Sequence, residues 1–432
     1  MASSEAVGVS PADDSETITR QQWKWAILAG MASYIDAGSI VALSAGLALF
    51  QSELGLGSTA VGALAAIGPN AIGCALGAFI GGRLGDILGR KRIYKYDLLV
   101  YAAGTLLIAL SFNSPMLFVG TFIVGVAVGA DVPASLALVG EFSPAKARGK
   151  LLGFTQIAWN AGPLVVLLLA FVLAPLGMLG IRIVFLHLVL VALVTWALRQ
   201  GLSESPRWEE ASASASQAPV QQKLRNLFSG ANLQALVWTV TIYATWNLAA
   251  GTKGIFNPYI IKTLNAGSQA VSVGLTALGF ALGMTATFVL FMRLADRSHA
   301  TRKRMWGVGA LMQITAFAIY LIFPFNIPVI IGNILFWAVG AALAGEAMYK
   351  VFSQELFPTI LRGTAQGLTF GTARVLLGIW SFFVPVLATT GIEPVAALLL
   401  VFLVISGAVG YFFMPDTSGK SLEQIESERA PA

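Results

Sequence analysis

Long apolar runs separated by short polar loops make up almost the whole chain. A helix needs roughly 20 apolar residues to cross about 30 Å of hydrocarbon, and that template fits the sequence about twelve times. Six runs extend from residues 24–50 to 181–198, and six more from 233–257 to 394–414, with 58–81 and 328–352 each reading as one span. The stretch Gly82 to Arg92, GRLGDILGRKR, interrupts this pattern between the runs 58–81 and 94–111. Centring a single Arg in hydrocarbon costs roughly 2.5–3.5 kcal/mol, so the spacing predicts a tight turn outside the membrane. A shorter echo, RLADRSHATRKR, follows another apolar run at Arg293 to Arg304.

Composition supports the membrane reading. Of 432 residues, 56% are hydrophobic and 11% charged, with a mean hydropathy of +0.77. A soluble domain carries nearer 25% charge, so this is a multi-pass protein of the cell (plasma or inner) membrane, with the lipid bilayer as its first partner. The net charge of +6 and pI near 9.4 do not describe a nucleic-acid footprint. Lys and Arg collect in alternate loops, at 83–95, 146–150, 199–225 and 293–304 and at Arg362, while the intervening loops carry little beyond Lys262. By the positive-inside rule both termini are cytoplasmic. The N-terminus is polar and acidic, unlike a cleavable signal peptide.

No catalytic constellation emerges. Cys74 is the single cysteine, which excludes an intramolecular disulfide, and His187 and His299 sit in separate halves without metal-ligand spacing. The glycine-rich runs lack a phosphate-loop ending. An enzyme is excluded, no cofactor or metal is expected, and the chain is expected to act as a monomer.

Internal repetition organises the rest. EFSPAKARG at Glu141 to Gly149 and ELFPTILRG at Glu355 to Gly363 share Glu, Pro, Arg and Gly in register, at an offset of 355 − 141 = 214. RLGD at Arg83 and RLAD at Arg293 repeat at 293 − 83 = 210. The expected architecture is all-α, with twelve transmembrane helices in two parallel six-helix bundles and a binding site at their interface. Its parts are a tail at 1–23, bundles at 24–199 and 233–414, a cytoplasmic linker at 200–232 and a tail at 415–432. In the linker, Val220, Leu224 and Phe228 recur at helical spacing beside the small, flexible run ASASASQAP, which suits either a short interfacial helix or an unstructured connection.

The Gly82 to Arg92 stretch resembles the loop signature of the major facilitator superfamily. ESPRW at Glu204 to Trp208, the paired EFSPAKARG and ELFPTILRG, and PDTSGKSLEQIE at Pro415 to Glu426 resemble the sugar-porter branch of that superfamily. The resemblance implies a latch on the cytoplasmic side, closed when the cavity faces outward. Its charged members would be Arg83, Asp86, Arg90, Glu141, Arg148, Glu204 and Arg207 in the first half, and Arg293, Glu355 and Arg362 in the second.

Ionisable groups at membrane depth must pair, face the bundle interior or line water. Asp36, in ASYIDAGSIVAL, is the expected proton-binding group by the same resemblance, since proton-coupled sugar porters carry an acid at the matching place. The partner arginine of the branch falls here at Thr121, and the same span carries Asp131 instead. Asp131 either shares or replaces the proton role, or contacts substrate hydroxyls. Glu346 and Lys350 lie one helical turn apart and so on one face. Lys350 and Arg374 align where sugar porters often place tryptophan. Gln156 matches a sugar-contacting glutamine of the branch, and Asn160, Trp159, Trp246, Asn247 and Trp380 complete a set of donors, acceptors and aromatic walls suited to a hydroxyl-rich ligand.

The expected function is proton-coupled uptake of a sugar or polyol, such as a cyclitol of the inositol type or a monosaccharide, by alternating access. A proton-coupled carrier of sugar acids or other organic anions, or an uncoupled facilitator, is the alternative.

Overall fold

The computed structural model describes residues 17–202, 204–215, 225–388 and 391–429. Every regular element among them is helical. The first group of helices is α1 (Arg20–Leu54), α2 (Ser58–Ile67), α3 (Ile72–Leu88), α4 (Arg90–Ala109), α5 (Ser114–Phe142), α6 (Arg148–Val172), α7 (Met178–Arg199) and the short α8 (Pro206–Ala215). The second is α9 (Gly230–Thr263), α10 (Gln269–Ala286), α11 (His299–Ile322), α12 (Ile327–Leu343), α13 (Glu346–Glu355), α14 (Arg362–Ala388), α15 (Glu393–Phe412) and the tail helix α16 (Leu422–Arg429). Within the first group α1 packs on α6 and α7, and α5 on α3 and α4; within the second α9 packs on α14 and α15, and α11 on α12 and α15. The groups meet chiefly through α3 against α14 and α6 against α10.

Ten helical stretches among the described residues are long and apolar enough to cross a membrane. α4 is not one of them, because Arg92, Lys95 and Asp97 crowd its first half, and in α9 Thr, Trp and Asn residues dilute the apolar run. The surface explains what solvent the fold expects. Phe412 is 71% exposed and Val172 70%, whereas Asp36, Glu346, Lys350 and Arg374 are at most 5% exposed. Large apolar groups outside and charges inside is the arrangement for hydrocarbon, not water.

Helix starts follow from their polar caps. Thr19 and Gln22 form a reciprocal capping box at α1, while Asn113, Ser298 and Asn326 accept from backbone N–H groups at the starts of α5, α11 and α12. Such caps satisfy donors that would otherwise face an apolar interface.

Three expectations need correction. The Gly82 to Arg92 stretch is not a tight turn: α3 runs to Leu88 and α4 begins at Arg90, with only Gly89 (φ 93°) between them. The run 58–81 is broken at Gly68–Ala71, and 328–352 at Ala344–Gly345. At the second break, a Cβ on Gly345 would meet the Ala341 carbonyl oxygen and, at 2.8 Å, the Trp246 ring, so glycine permits this approach. Gln313 Nε2 donates to the carbonyl of Ala344 (3.0 Å), an acceptor that the break releases, and to that of Gly340 (3.1 Å), which also takes the Ala344 N–H. Val220 and Leu224 lie outside the described residues, and Phe228 is exposed.

Candidate functional site

The break in the α12–α13 region leaves Glu346 in the first turn of a new helix, where the N-terminal dipole favours a carboxylate. Glu346 faces a chamber of about 770 Å³, counting its open mouth, bounded by α6, α9, α10 and α12. Gln156, Trp159, Asn160, Trp246 and Lys253 line it. A second lobe of about 410 Å³ shares Trp159, Trp246 and Glu346 and adds Asn70, Asn247 and Arg374. Seven of the nine sequence-predicted substrate residues therefore line one connected space.

The other two do not. Lys350 is buried behind the wall, where its Nζ donates to Gln156 Oε1 (2.8 Å) and pairs with Glu346 at 3.5 Å. It thereby orients Gln156 rather than facing the space itself. Trp380 donates from Nε1 to the Thr252 hydroxyl (2.8 Å) and packs edge-on against Phe402.

The aromatic wall is fixed from behind. Trp246 Nε1 donates to Gln313 Oε1 (2.7 Å), and the Trp246 ring stacks between Trp337 and Tyr243. Tyr243 in turn stacks on Tyr349 with centroids 3.9 Å apart. Gln313, which spans the helix break and locks this tryptophan, escaped the sequence reading. A lone glutamine in an apolar run was the signal for it.

Several polar atoms of the second lobe have no hydrogen-bond partner among the described residues: Trp159 Nε1, Asn247 Nδ2 and Asn70 Nδ2. Asn70 Oδ1 accepts from Arg374 Nη1 (2.5 Å), and the Arg374 guanidinium lies over the Phe370 ring at 4.6 Å. Three donors facing one cavity suit a ligand rich in acceptor oxygens. Lys253 donates to Asn333 and lies 5.7 Å from the Trp337 centroid, with no carboxylate paired to it among the described residues.

Neither Asp36 nor Asp131 lines the chamber. Both face a separate small cavity inside the first group of helices. There Arg199 Nη1 donates to Asp131 Oδ1 at 3.0 Å and sits 3.6 Å from Asp97 Oδ1, while Asp36 Oδ1 is unpartnered. Arg199 and Asp97 also escaped the sequence reading, because they sit at span ends where charge reads as topology.

At the basic end, an ion network ties the groups together with pairwise exchange. Glu141 accepts from Arg90 (3.2 Å) in its own group and from Arg362 (2.9 Å) in the other. Glu355 accepts from Arg302 (2.7 Å) in its own group and from Arg148 (3.1 Å) in the other. Asp86 receives the backbone N–H groups of Gly363 (3.1 Å) and Thr364 (2.6 Å), and Asp296 those of Gly149 (2.7 Å) and Lys150 (2.8 Å). Each acid of the RLGD and RLAD repeats thus caps the first turn of a helix in the opposite group. Burial pushes the Asp296 carboxyl up to about 6, against the opposing pull of Arg302 and the two N–H groups.

The ESPRW residues brace this network. Glu204 accepts from Lys91 N (2.9 Å) at the start of α4, Arg207 donates to the Glu141 carbonyl (2.6 Å) and pairs with Glu423 of the tail (2.8 Å), and Trp208 donates to the Asp86 carbonyl (3.0 Å). Two expected members are absent from it. The Arg293 side chain is exposed and Arg83, half-buried, makes no ion pair among the described residues; Arg302 and Asp296 occupy the roles expected of the second repeat.

A helical fold with an apolar exterior, buried charges and a chamber open at one mouth between two groups of helices is that of a membrane transporter. Residues 26–381 match the model of the Major Facilitator Superfamily. The chain belongs to that superfamily. It is 41% identical over 419 residues to the minor myo-inositol transporter IolF of Bacillus subtilis, covering 94% of this chain and 93% of that one. It is 25% identical to the glucose transporter GlcP of Staphylococcus epidermidis over 93% and 95% of the two chains. Its fold superposes on the proton:xylose symporter XylE bound to 6-bromo-6-deoxy-D-glucose with a TM-score of 0.81, at 20% identity, over 95% of this chain and 99% of that one.

Proposed function

We propose that this protein imports a cyclitol, of which myo-inositol is the first choice, or a related monosaccharide, coupled to a proton and by alternating access. The observation that carries this reading is the set of unpartnered donors, Trp159 Nε1, Asn247 Nδ2 and Asn70 Nδ2, in a cavity that the Gln156 and Asn160 amides and a stacked Trp246 also line. A polyol supplies one acceptor per hydroxyl and apolar ring faces for the indoles. Likeness to IolF over nearly the whole chain agrees with that choice of cargo.

On this reading the chain makes twelve crossings, counting α4 and α9, in two bundles at 24–199 and 233–414, with both termini and the latch on the cytoplasmic side. Gln156, Asn160, Trp159, Trp246, Asn247, Glu346 and Arg374 contact cargo, Lys350 positions Gln156, and Trp380 supports the outer part of α9. Asp36 carries the proton, with Asp131 as its partner. The test is counterflow in proteoliposomes against cyclitols, hexoses, pentoses and sugar acids. Exchange of myo-inositol with no exchange of acids supports the reading; exchange of acids alone overturns it.

A second reading rests on Lys253, which lines the chamber without a paired carboxylate and would suit an anionic cargo. Loss of sugar-acid counterflow in Lys253→Met, with neutral polyols unaffected, would favour it.

A further inference from the structure

The small cavity inside the first bundle has room for about one water molecule and is lined by Asp36 from α1, Asp97 and Tyr101 from α4, and Asp131 from α5. Two of its carboxylate atoms, Asp36 Oδ1 and Asp97 Oδ2, are buried without a hydrogen-bond partner among the described residues. The remaining oxygens tell what the pocket holds. Asp97 Oδ1 and Asp131 Oδ1 converge on a single Arg199 Nη1, at 3.6 and 3.0 Å. Arg199 is pinned from its other side by the carbonyl of Leu28 (3.1 Å) and lies 3.4 Å over the Tyr94 ring.

One guanidinium cannot neutralise two buried carboxylates, and a buried unpaired charge is costly. A proton shared by the pair removes the excess. A metal ion is the weaker occupant: the described residues contain no cluster of three or more His, Cys, Asp or Glu side chains close enough to hold one, and Arg199 fills the position a cation would take.

We propose that Asp97 and Asp131, clamped by Arg199, form the inward release station of the proton path, joined to Asp36 through this cavity and separate from the cargo chamber. This rests on the proton-coupled reading above. The Asp36 carboxyl gives its proton to a water in the cavity and becomes a carboxylate. That water passes a proton to Asp97, whose pair with Asp131 has first released its own proton to cytoplasmic water past Arg199, so that the pair returns to its singly protonated state. No proton crosses the space occupied by cargo. Asp97 lies seven residues into α4 from Arg90, about 10 Å from its inner end, whereas Asp36 is deeper. Facing Asp97 are Asp131 from α5, Arg199 from α7, Asp36 from α1 and, on its own helix, Tyr94 and Tyr101.

The test uses the full chain in proteoliposomes with radiolabelled myo-inositol. Asp97→Asn is expected to lower accumulation driven by an inward proton gradient about tenfold or more while counterflow stays within about twofold of wild type. Asp97→Glu is expected to restore accumulation with a displaced pH dependence. Infrared difference spectra of the purified protein should lose a protonated-carboxyl band in Asp97→Asn that Asp36→Asn retains. Undiminished accumulation in Asp97→Asn overturns the release station, as does parallel loss of accumulation and counterflow that Asp97→Glu cannot rescue, which marks a structural brace. Wild-type uptake indifferent to a protonophore overturns proton coupling itself, and the infrared band then still decides whether the pair holds a proton.

Discussion

Charge at membrane depth was visible residue by residue, but not its pairing. Asp36, Asp131, Glu346, Lys350 and Arg374 stand out of apolar runs because each is costly there. Helical spacing correctly placed Glu346 and Lys350 together, 3.5 Å apart. It could not reveal that Lys350 bonds Gln156, 194 residues away, and turns its charge from the chamber. This pairing predicts a strong asymmetry between single and double neutralisation. Lys350→Met leaves the Glu346 carboxylate buried and unpaired, a loss of about 3–5 kcal/mol for a broken buried pair, whereas Glu346→Gln/Lys350→Met removes both charges and should recover most of it. Thermal unfolding in detergent across the four proteins of the cycle measures the coupling; equal losses in the single and double variants would show that the pair is not one electrostatic unit. For Asp36, Asp36→Asn should abolish gradient-driven accumulation but keep exchange, and retained uphill uptake would remove it from the proton path.

Apolar runs located the helices well at the scale of elements, but the breaks inside two of them were hidden. Gly68–Ala71 and Ala344–Gly345 are small and apolar, so hydropathy continues through them while the backbone does not. What permits the second break is distant in sequence: the side chain of Gln313 on α11, which also anchors Trp246 on α9. Gln313→Leu keeps the volume but frees two polar groups, the carbonyl of Ala344 and the Trp246 N–H, while the Gly340 carbonyl keeps the Ala344 N–H. It should cost about 1–3 kcal/mol of stability and raise KM for cargo, since the indole wall loses its fixed orientation. Thermal unfolding together with transport kinetics checks both; a raised KM without lost stability would separate the two roles, and neither effect would remove Gln313 from the site. A pH effect belongs to the element Asp296 caps. Its carboxyl titrates near 6 in the latch, against about 3.9 when solvated, so the latched state binds more protons between about pH 4 and 6. Latching is therefore favoured as pH falls through that window and loses the contribution above it. Spin-label distances across the latch face should shorten in population from pH 7.5 to pH 5, and Asp296→Asn should flatten that dependence.

For the whole molecule, the duplicated Glu, Pro, Arg and Gly positions announced two related halves, because a repeat preserves register even where side chains diverge. They did not announce that each half completes the other's network. Glu141 needs Arg362 and Glu355 needs Arg148, partners more than 200 residues away, and in the RLAD repeat it is Asp296, not Arg293, that reaches across. If the network acts as the proposed latch, the exchange makes it two equivalent locks. On the alternating-access reading these contacts exist in one state only, so whatever each contributes falls entirely on the equilibrium between states, at a factor of ten per about 1.4 kcal/mol. Removing one glutamate charge also strands one buried guanidinium in the latched state, Arg362 or Arg148, but not in an open one, where water reaches it; Arg90 keeps Asp86 and Arg302 keeps Asp296. Glu141→Gln and Glu355→Gln should consequently shift the population toward the cytoplasm-open form by similar amounts, and the double variant by more than either. Distances between spin labels at the exposed positions Arg92 and Arg297 would lengthen in that order. A shift in one variant alone would mean that a single lock holds the halves and that the pairwise exchange is geometry without mechanical consequence.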